Sequence, residues 1–267
     1  MFEEEATADA AGRARWAWDW ELRDRVAIVT GATSGIGVAI ADAFARAGAS
    51  LVLVGRDEQR LARTAALPAV AAGDPLTVAA DLAEEGAPGR IVEAAVERFG
   101  RVDVLVHNAG IFHRGECVEA DLVDVDAQYA VHLRAPFALT AAAAPHMPEG
   151  GAITFIGSNL ADAGMVAAAG YAAMKGGAQA LARTLAVELA PRRIRVNTVA
   201  PGTVQTPMTA GLEEDAAARE VHLSKSLVGR LGTIEDVAAA TLFLSSPAAG
   251  YVSGAVLTVD GGQTASW

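Results

Sequence analysis

The chain is poor in cysteine, in basic residues and in aromatic residues. Its single cysteine, Cys117, excludes an internal disulfide and indicates a reducing, cytoplasmic setting. Lysine and arginine number 21 against 32 aspartates and glutamates, and the formal net charge of −11 argues against nucleic acid or an anionic membrane as a partner. No apolar run approaches the roughly 18 residues of a membrane span. The composition, 52% apolar and 20% charged, is that of a globular protein.

The first residues are acidic where a secretory signal would be basic, and they lack an apolar core of signal length. We interpret residues 1–22 as an extension that precedes a single domain over residues 23–267. Trp16, Trp18 and Trp20 indicate that part of the extension packs onto the body or onto another subunit. A loosely ordered leader is the alternative.

Seven short runs of β-branched and other apolar residues recur along the chain, separated by helix-like stretches rich in alanine and charge. The runs do not alternate strictly, which is typical of strands covered on both faces. This strand–helix alternation predicts an α/β fold: a doubly wound (Rossmann) parallel seven-stranded sheet with helices on both faces, in a single domain. The least regular stretch, roughly 203–229, can cover a ligand site. The predicted strands are 25–30, 50–55, 76–80, 102–107, 152–157, 193–199 and 255–260.

The first predicted strand runs straight into TGATSGIG, residues 30–37, ahead of a helical segment. Gly31, Gly35 and Gly37 allow the backbone to turn sharply and to approach a pyrophosphate, whose charge the helix N-terminus then meets. A glycine-rich turn alone is a weak signal, but between the first strand and the first helix of a βαβ unit it predicts a dinucleotide site. The other contacts predicted in this turn are Thr33, Ser34 and Ile36.

The end of the second predicted strand bears on the choice of dinucleotide. An NAD site places a carboxylate there for the ribose 2′-hydroxyl, whereas this chain has Gly55 followed by Arg56. Glycine leaves room, and a guanidinium can bind a 2′-phosphate through two parallel hydrogen bonds. NADP(H) is therefore favoured over NAD(H), although a shifted loop would present Asp57 instead. Contacts after the next two strands are predicted from Asp81, Leu82, Asn108, Ala109 and Gly110.

Four stretches of the chain occur in the order and spacing of one known family. TGATSGIG, NAG, YAAMK and APGTVQT, within about residues 24–263, resemble the motifs of the short-chain dehydrogenase/reductases. The resemblance implies a single-domain Rossmann oxidoreductase, commonly a tetramer, that moves a hydride between NAD(P) and an alcohol or carbonyl compound. The expected partners are a small-molecule substrate and further copies of the chain in a homotetramer or homodimer, and no metal is expected.

The resemblance assigns the chemistry to three residues. Tyr171 matches the family's proton donor and acceptor, Lys175 follows it by four positions as its partner, and Ser158 precedes it by thirteen. An i,i+4 pair shares one face of a helix. A lysine ammonium about 5 Å from the phenol, at an effective dielectric of about 20, favours the phenolate by roughly 3 kcal/mol. We therefore expect the lysine to lower the pKa of Tyr171 by about two units.

In the implied reaction Ser158 and Tyr171 both hydrogen-bond the substrate oxygen, and Lys175 also binds the nicotinamide ribose. The remaining nicotinamide and phosphate contacts would come from Pro201, Gly202, Thr203, Val204 and Thr206. Candidate substrate residues are His113, Arg114, Asn159, Leu160 and Met208, where a lid would begin. A solvated loop is the alternative for the histidine and the arginine.

His132 departs from the family pattern. In that pattern an asparagine on the preceding long helix often completes a tetrad and kinks the helix around a water that feeds the lysine. Histidine could bind a water or shuttle a proton, because its pKa lies near neutrality. It could equally be a bystander that reshapes the helix.

Two other functions remain open on the sequence. A 3-oxoacyl-carrier-protein reductase would need basic surface around its entrance, which the net charge of −11 does not favour. A nucleotide-binding regulator without turnover would be expected to lack one residue of the Ser158, Tyr171 and Lys175 trio, and none is missing. Elements such as VDGG near the end are similar to sugar-acid and polyol dehydrogenases of the family, which makes a sugar acid, a polyol or another small ketone a candidate substrate.

The predicted helices at about 127–146 and 171–190 are rich in alanine. Gly176 and Gly177 lie within the second helix, where each glycine costs about 1 kcal/mol relative to alanine. Close backbone packing would explain them, either against a twin helix in a homo-oligomer or within one subunit.

Overall fold

The protein forms one parallel sheet of seven strands in the part of the chain that the structure, a computed structural model, describes: residues 20–211 and 215–265. The strand order is β3-β2-β1-β4-β5-β6-β7, and every neighbouring pair is parallel. Each of the seven predicted runs overlaps a strand, so the doubly wound fold is confirmed. The strands are β1 Val26–Thr30, β2 Ser50–Gly55, β3 Leu76–Ala79, β4 Val104–His107, β5 Ala152–Ile156, β6 Arg195–Pro201 and β7 Val256–Val259.

Helices follow the strands, and four of them begin at a short polar side chain that caps the first turn. Asp57, Asp121 and Asp215 each accept a hydrogen bond from a backbone N–H of the first turn, and Thr233 forms a capping box with Asp236. The helices are α1 Gly35–Arg46, α2 Glu58–Ala65, α3 Pro68–Ala71, α4 Ala87–Phe99, α5 Leu122–Tyr129, α6 Ala135–Ala143, α7 Ala169–Glu188, α8 Ala216–Ser224 and α9 Ile234–Ser245. None of the described helices is long and apolar enough to cross a membrane.

Two hydrophobic clusters cover the two faces of the sheet. Ile28 of β1 belongs to the cluster formed with α4, α6 and α7, whereas its neighbour Val29 belongs to the cluster formed with α1 and α9. Successive residues of a strand point to opposite faces, so β1 must be apolar at every position. This explains the unbroken apolar runs of the sequence and the complete burial of β1, β4 and β5.

The strand order reverses beside β1, which pairs with β2 on one side and with β4 on the other. At such a switch point the connections leave the sheet in opposite directions, and a crevice opens beyond the carboxyl ends of the strands. Here the crevice lies between the segment that follows Thr30 and the segment that follows His107. Ligands of doubly wound proteins bind at this place.

The amino-terminal boundary of the body differs from the predicted one. Leu22, assigned to the extension by the sequence, is only 1% exposed, and its N–H donates to the carbonyl oxygen of Ala47 at 2.8 Å. The ring of Trp20 lies 5.5 Å from that of Phe243. Both residues pack onto the body because α1 and α9 leave an apolar surface beside β1. Trp16 and Trp18 lie outside the described residues.

The helical region before β5 begins at Leu122, earlier than predicted, because Asp121 caps it. One π-helical turn, Ala130–Arg134, separates α5 from α6. The close approach expected at Gly177 occurs within the chain, since a Cβ atom on this glycine would lie 3.1 Å from Cδ1 of Leu133 in the π-helical turn. The twin-helix explanation is therefore not needed for this glycine.

The irregular stretch predicted at 203–229 is partly helical in the residues that the structure describes. A 3-10 turn covers Pro207–Thr209, and α8 covers Ala216–Ser224. An isolated parallel bridge between Val204 and Gly232 closes the base of the excursion. The excursion thus stands over the carboxyl end of β6.

Candidate active site

A cavity of about 990 Å³ opens at the carboxyl end of the sheet. Its walls come from the segments that follow all seven strands, including the excursion between β6 and α9. Most residues predicted for the site line it: Gly31, Thr33, Ser34, Gly35, Ile36, Gly55, Arg56, Asp81, Leu82, Asn108, Ala109, Gly110, Arg114, Ser158, Asn159, Leu160, Tyr171, Lys175, Pro201, Gly202, Thr203, Val204, Thr206 and Met208. Gly37, His113 and His132 are not among the lining residues.

The glycine turn has the shape that a close-bound phosphate needs. Gly31 and Gly35 adopt φ angles of +67° and +53°, which residues with a side chain rarely adopt. A Cβ atom on Gly31 would lie 2.8 Å from Cα of Ala109. Gly37 packs directly against the turn, because a Cβ atom there would collide with the carbonyl oxygen of Gly31. The Ser34 side chain does not cap α1, so the first-turn N–H groups stay available to an anion.

Asn108 and Thr30 tie the end of β4 to the end of β1. The Asn108 amide nitrogen donates to the carbonyl oxygens of Thr30 and Gly31, at 2.9 and 3.2 Å. The Thr30 hydroxyl donates to the carbonyl oxygen of Val106 at 3.0 Å and accepts the N–H groups of Asn108 and Ala109. Thr30 was not predicted as a site residue, although it opens the TGATSGIG motif. This network fixes the width of the crevice.

Basic side chains line the cavity where β2 ends. Arg56 and Arg60 both lie there, and Nη1 of Arg56 is 3.9 Å from Oδ2 of Asp81. Asp57 does not line the cavity, because its carboxylate caps α2 by accepting the N–H of Arg60 at 3.0 Å. The sequence analysis missed Arg60, whose position four residues after Arg56, at the start of a helix, was the available signal. A Cβ atom on Gly55 would lie 2.4 Å from the Thr33 methyl group.

Ser158, Tyr171 and Lys175 come together on one wall of the same cavity. Their exposed fractions are 8%, 9% and 5%. The Lys175 ammonium donates to the carbonyl oxygen of Ile156 at 2.7 Å and lies 5.5 Å from the centre of the Tyr171 ring. The start of α7 thereby faces the end of β5. The Tyr171 phenol, the Ser158 hydroxyl and the Lys175 ammonium are thus close enough together to take part in proton transfer.

Burial dominates the ionisation of this trio. It raises the pKa of Tyr171 to about 12, partly opposed by a hydrogen bond with Ser158, and it lowers the pKa of Lys175 to about 8. The expected lowering of the pKa of Tyr171 by about two units is therefore wrong. That expectation counted the attraction of the ammonium and left out the cost of removing the phenolate from water.

His132 lies behind the cavity wall. Its Nε2 atom is 2.8 Å from the carbonyl oxygen and 3.3 Å from the backbone nitrogen of Ile111, and its ring meets that of Tyr171 edge-on, with the centroids 5.4 Å apart. Burial lowers its pKa to about 3, and the charge of Lys175 adds to this effect. The imidazole is thus neutral at pH 7, contrary to the near-neutral pKa on which a proton shuttle would depend.

His113 points away from the cavity, whereas the adjacent Arg114 lines it. Nδ1 of His113 lies 3.2 Å from a carboxylate oxygen of Asp124 on α5, which explains its orientation. The Arg114 guanidinium carbon lies 5.9 Å from the centre of the Phe112 ring. Of the two candidates for substrate contact, only the arginine is placed for it.

The segment after β7 supplies a wall that the sequence analysis missed. Gln263 and Thr264 line the cavity, and Oε1 of Gln263 accepts hydrogen bonds from the Thr203 N–H at 3.1 Å and from Asn159 at 3.2 Å. His222 of α8 also lines it, with Nδ1 2.9 Å from the Thr203 hydroxyl. The polar residues after VDGG were the only signal for Gln263.

Comparison with known proteins agrees with this architecture. Residues 31–264 match a family described as enoyl-(acyl carrier protein) reductase. The 3-oxoacyl-(acyl-carrier-protein) reductase FabG of Thermotoga maritima is 42% identical over 174 residues, which cover 64% of this chain and 70% of that protein. The galactitol 2-dehydrogenase (L-tagatose-forming) of Cereibacter sphaeroides is 38% identical over 226 residues, 83% of this chain and 88% of that protein.

A solved structure shares the whole fold. A short-chain dehydrogenase of Burkholderia cenocepacia in complex with NADP superposes with a TM-score of 0.85 at 34% identity, over 91% of this chain and 99% of that one. The chain belongs to the short-chain dehydrogenase/reductase family. It is an oxidoreductase of the class that acts on alcohol and carbonyl groups with a nicotinamide cofactor.

Proposed function

We propose that the protein is an NADP(H)-dependent dehydrogenase or reductase of a small alcohol or carbonyl compound. The observation that carries the proposal is the meeting of Ser158, Tyr171 and Lys175 in one cavity with the glycine turn. A cytoplasmic location belongs to the proposal, supported by Cys117, the one cysteine of the chain, whose thiol is free.

The residues at the crevice fit a dinucleotide. The turn at Gly31 and Gly35, with the start of α1, would hold the pyrophosphate, and the segment from Pro201 to Thr206 would hold the nicotinamide end. The cofactor would supply the hydride or accept it. Lys175 would bind the nicotinamide ribose in exchange for its present bond to Ile156.

Tyr171 would move the proton. Its raised pKa keeps the phenol protonated at neutral pH, so that it is ready to donate to a substrate oxygen during carbonyl reduction. Ser158 would hold the same oxygen with its hydroxyl. Below a pH of about 8 Lys175 is charged, and its ammonium would stabilise the phenolate that remains after proton donation.

His132 would act as a positioning residue and not as a proton shuttle. Its Nε2–H donates a hydrogen bond to the carbonyl oxygen of Ile111 and so holds the loop after Gly110, and its ring supports that of Tyr171. A Cβ atom on Gly110 would lie 2.9 Å from Cε1 of His132, so the glycine is what allows this contact.

The preference for NADP(H) rests on the end of β2. Arg56 and Arg60 offer two guanidinium groups where a 2′-phosphate would lie, and Asp57 is occupied as a helix cap. The 2′-hydroxyl of NAD would find no carboxylate at Gly55. The NADP complex of the Burkholderia cenocepacia relative is consistent with this choice.

The substrate would be a sugar acid, a polyol or another small ketone. The galactitol dehydrogenase supports a hydroxylated small molecule. A second candidate, reduction of a 3-oxoacyl group on a carrier protein, is favoured by the identity to the Thermotoga maritima reductase. The net charge of −11 argues against an acidic carrier protein as partner.

A homodimer or homotetramer also belongs to the proposal. Leu122 and Val123 of α5, Phe137 of α6 and Val187 of α7 are exposed by 56–74% of their surface. Large exposed apolar side chains on neighbouring helices favour burial against another copy. Light scattering would measure the assembly directly.

The test combines binding and turnover. Fluorescence titration with NADPH and NADH gives the favoured cofactor, which then serves in a screen of ketones and of 3-oxoacyl thioesters. Tyr171→Phe should lower kcat/KM by about 10²- to 10⁴-fold without changing NADPH affinity. Tyr251→Phe, at a fully exposed tyrosine, is the control. Unchanged turnover in Tyr171→Phe would refute the mechanism, and cofactor binding without turnover of any compound would favour a regulator.

A further inference from the structure

The side-chain amide of Gln263, in the segment that follows β7, joins two walls of the cavity. Its Oε1 atom accepts the Thr203 N–H at 3.1 Å and a hydrogen bond from the Asn159 amide nitrogen at 3.2 Å. A backbone N–H can only donate, so the atom of Gln263 that faces Thr203 is the oxygen. Asn159 follows Ser158, which is proposed to hold the substrate oxygen. One amide therefore bridges the end of β5 and the segment after β6.

The turn that carries Gln263 is held by the carboxylate of Asp260. This carboxylate accepts the Gly262 N–H at 2.9 Å, and it accepts both the N–H and the hydroxyl of Thr264 at 2.8 Å. The turn is tied to the end of β6 as well, because the Gly202 N–H donates to the carbonyl oxygen of Val259 at 3.0 Å. The Gln263 side chain thus enters the cavity from a fixed base.

The backbone of Thr203 is bound on both sides. Its N–H donates to Gln263, and its carbonyl oxygen accepts the Gly232 N–H at 2.9 Å. The preceding residue leaves room for the amide, since a Cβ atom on Gly202 would lie 2.5 Å from Oε1 of Gln263. The position of Thr203 therefore depends on a side chain that lies 60 positions later in the chain.

The same amide also meets the excursion. Its nitrogen donates to the carbonyl oxygen of His222 in α8 at 3.5 Å, and the His222 ring lies 2.9 Å, at Nδ1, from the Thr203 hydroxyl. Gln263, Thr203 and His222 hence form one connected group between the end of the sheet and α8. The oxygen of the amide makes the shorter contacts, so its acceptor role is the one that matters most.

We propose that Gln263 is a positioning residue, which holds residues 201–206, here called the nicotinamide loop, in the conformation that receives the nicotinamide end of the cofactor. The proposal rests on the proposed function, since it takes this loop as the nicotinamide site. A loop that is ordered before binding loses less conformational entropy when the ligand binds. Gln263 should therefore contribute to affinity for the nicotinamide end. It should not contribute to affinity for the other end, whose proposed contacts lie at β2, on the far side of β1.

The test uses binding, so that it does not depend on turnover. Calorimetric titrations compare NADPH with 2′-phospho-ADP-ribose, the same nucleotide without its nicotinamide. Gln263→Met keeps the length of the side chain and removes the amide oxygen. It should weaken NADPH binding by about 5- to 20-fold and change the affinity for 2′-phospho-ADP-ribose by less than about twofold. Gln263→Glu keeps an oxygen acceptor and should restore most of the NADPH affinity.

Gln59→Met is the matched control, because Gln59 is an exposed glutamine of α2 that is not among the residues lining the cavity. It should bind both nucleotides as the wild type does. Equal losses for the two nucleotides in Gln263→Met would indicate a general structural defect, and unchanged affinity for both would indicate no role. Either result overturns the proposal, and so does a Gln263→Glu variant that binds NADPH as weakly as Gln263→Met.

The wild type separates this proposal from the proposed function. If it binds NADPH no more tightly than 2′-phospho-ADP-ribose, the loop does not hold the nicotinamide and only the role of Gln263 is overturned. A selective loss of NADPH affinity in Gln263→Met, together with no turnover of any compound by the wild type, overturns only the proposed function. A wild type that binds neither nucleotide overturns both.

Discussion

The ammonium group of Lys175 donates a 2.7 Å hydrogen bond to the backbone carbonyl oxygen of Ile156, the last residue of β5. This bond holds a cation 5.5 Å from the centre of the Tyr171 ring. A buried ammonium is costly, and the pKa of Lys175 is lowered to about 8 as a result. Lys175, which we propose as the partner of Tyr171 in proton transfer, should therefore affect how the stability of the protein depends on pH.

Lys175→Met should change how stability depends on pH. Between pH 8 and 10.5 the unfolded chain holds a proton on Lys175 that the folded chain has lost, so the free energy of unfolding rises with pH in this window. The full rise corresponds to about 3 kcal/mol. The wild type should show it relative to Lys175→Met when both are unfolded with urea at a series of pH values.

Lys225→Met is the matched control, because the chain has only these two lysines and Lys225 is exposed. It should keep the wild-type pH dependence. A free-energy difference between wild type and Lys175→Met that stays flat from pH 8 to 10.5 would contradict the lowered pKa.

Arg56→Gln should weaken NADPH binding by about 10- to 100-fold, since a charge-assisted bond to the 2′-phosphate is lost. NADH lacks this phosphate, and its affinity should stay the same. Arg63→Gln, a neutral replacement on the exposed side of α2, should leave both affinities unchanged. Fluorescence titration measures the affinity of the wild type and of each variant for both nucleotides. If NADH binds wild type at least tenfold more tightly than NADPH, the assignment of Arg56 is wrong.

Gly37→Ala should destabilise the protein by roughly 1–3 kcal/mol and weaken cofactor binding, because the new methyl group would collide with the Gly31 carbonyl oxygen. Gly89→Ala offers a contrast within α4, where a Cβ atom meets nothing within 4 Å. It should stabilise the protein by about 0.5–1 kcal/mol. Chemical denaturation compares the two variants, and equal stabilities would show that the turn tolerates a side chain.

His132→Asn should leave the midpoints of the pH–rate profile unchanged. The pKa of His132, lowered to about 3, lies outside the range in which the profile would be recorded, so no step between pH 5 and 9 should belong to this residue. A positioning role predicts instead a lower kcat with the same pH midpoints. If the variant loses one limb of the pH–rate profile, His132 does act as a proton shuttle.

The strands and the glycine turn were predictable because local sequence determines them. A strand buried on both faces must be apolar throughout, and a turn with positive φ values needs glycine at Gly31 and Gly35. The shared wall of Ser158 and Tyr171 followed from the motif spacing, since β5 and α7 adjoin in this fold.

Other features depend on contacts between distant segments. Gln263 accepts a hydrogen bond from Asn159, which lies 104 positions earlier in the chain, and no local sequence pattern predicts that contact. Whether His113 or Arg114 faces the cavity depends on Asp124 of α5. The pKa of Tyr171 could not be foreseen from a lysine four residues away, because burial raises it and the hydrogen bond with Ser158 opposes this only in part. Burial is a property of the assembled fold.

The methyl group of Thr33 occupies the space where a side chain at residue 55 would begin. Any redesign that installs an aspartate at this position, to favour NAD(H), must therefore shorten Thr33 in the same step. Changing Gly55 by itself would push the glycine turn out of place and damage recognition of both coenzymes. A change of coenzyme preference in this scaffold therefore requires substitutions at two positions, residue 55 at the end of β2 and residue 33 in the turn after β1.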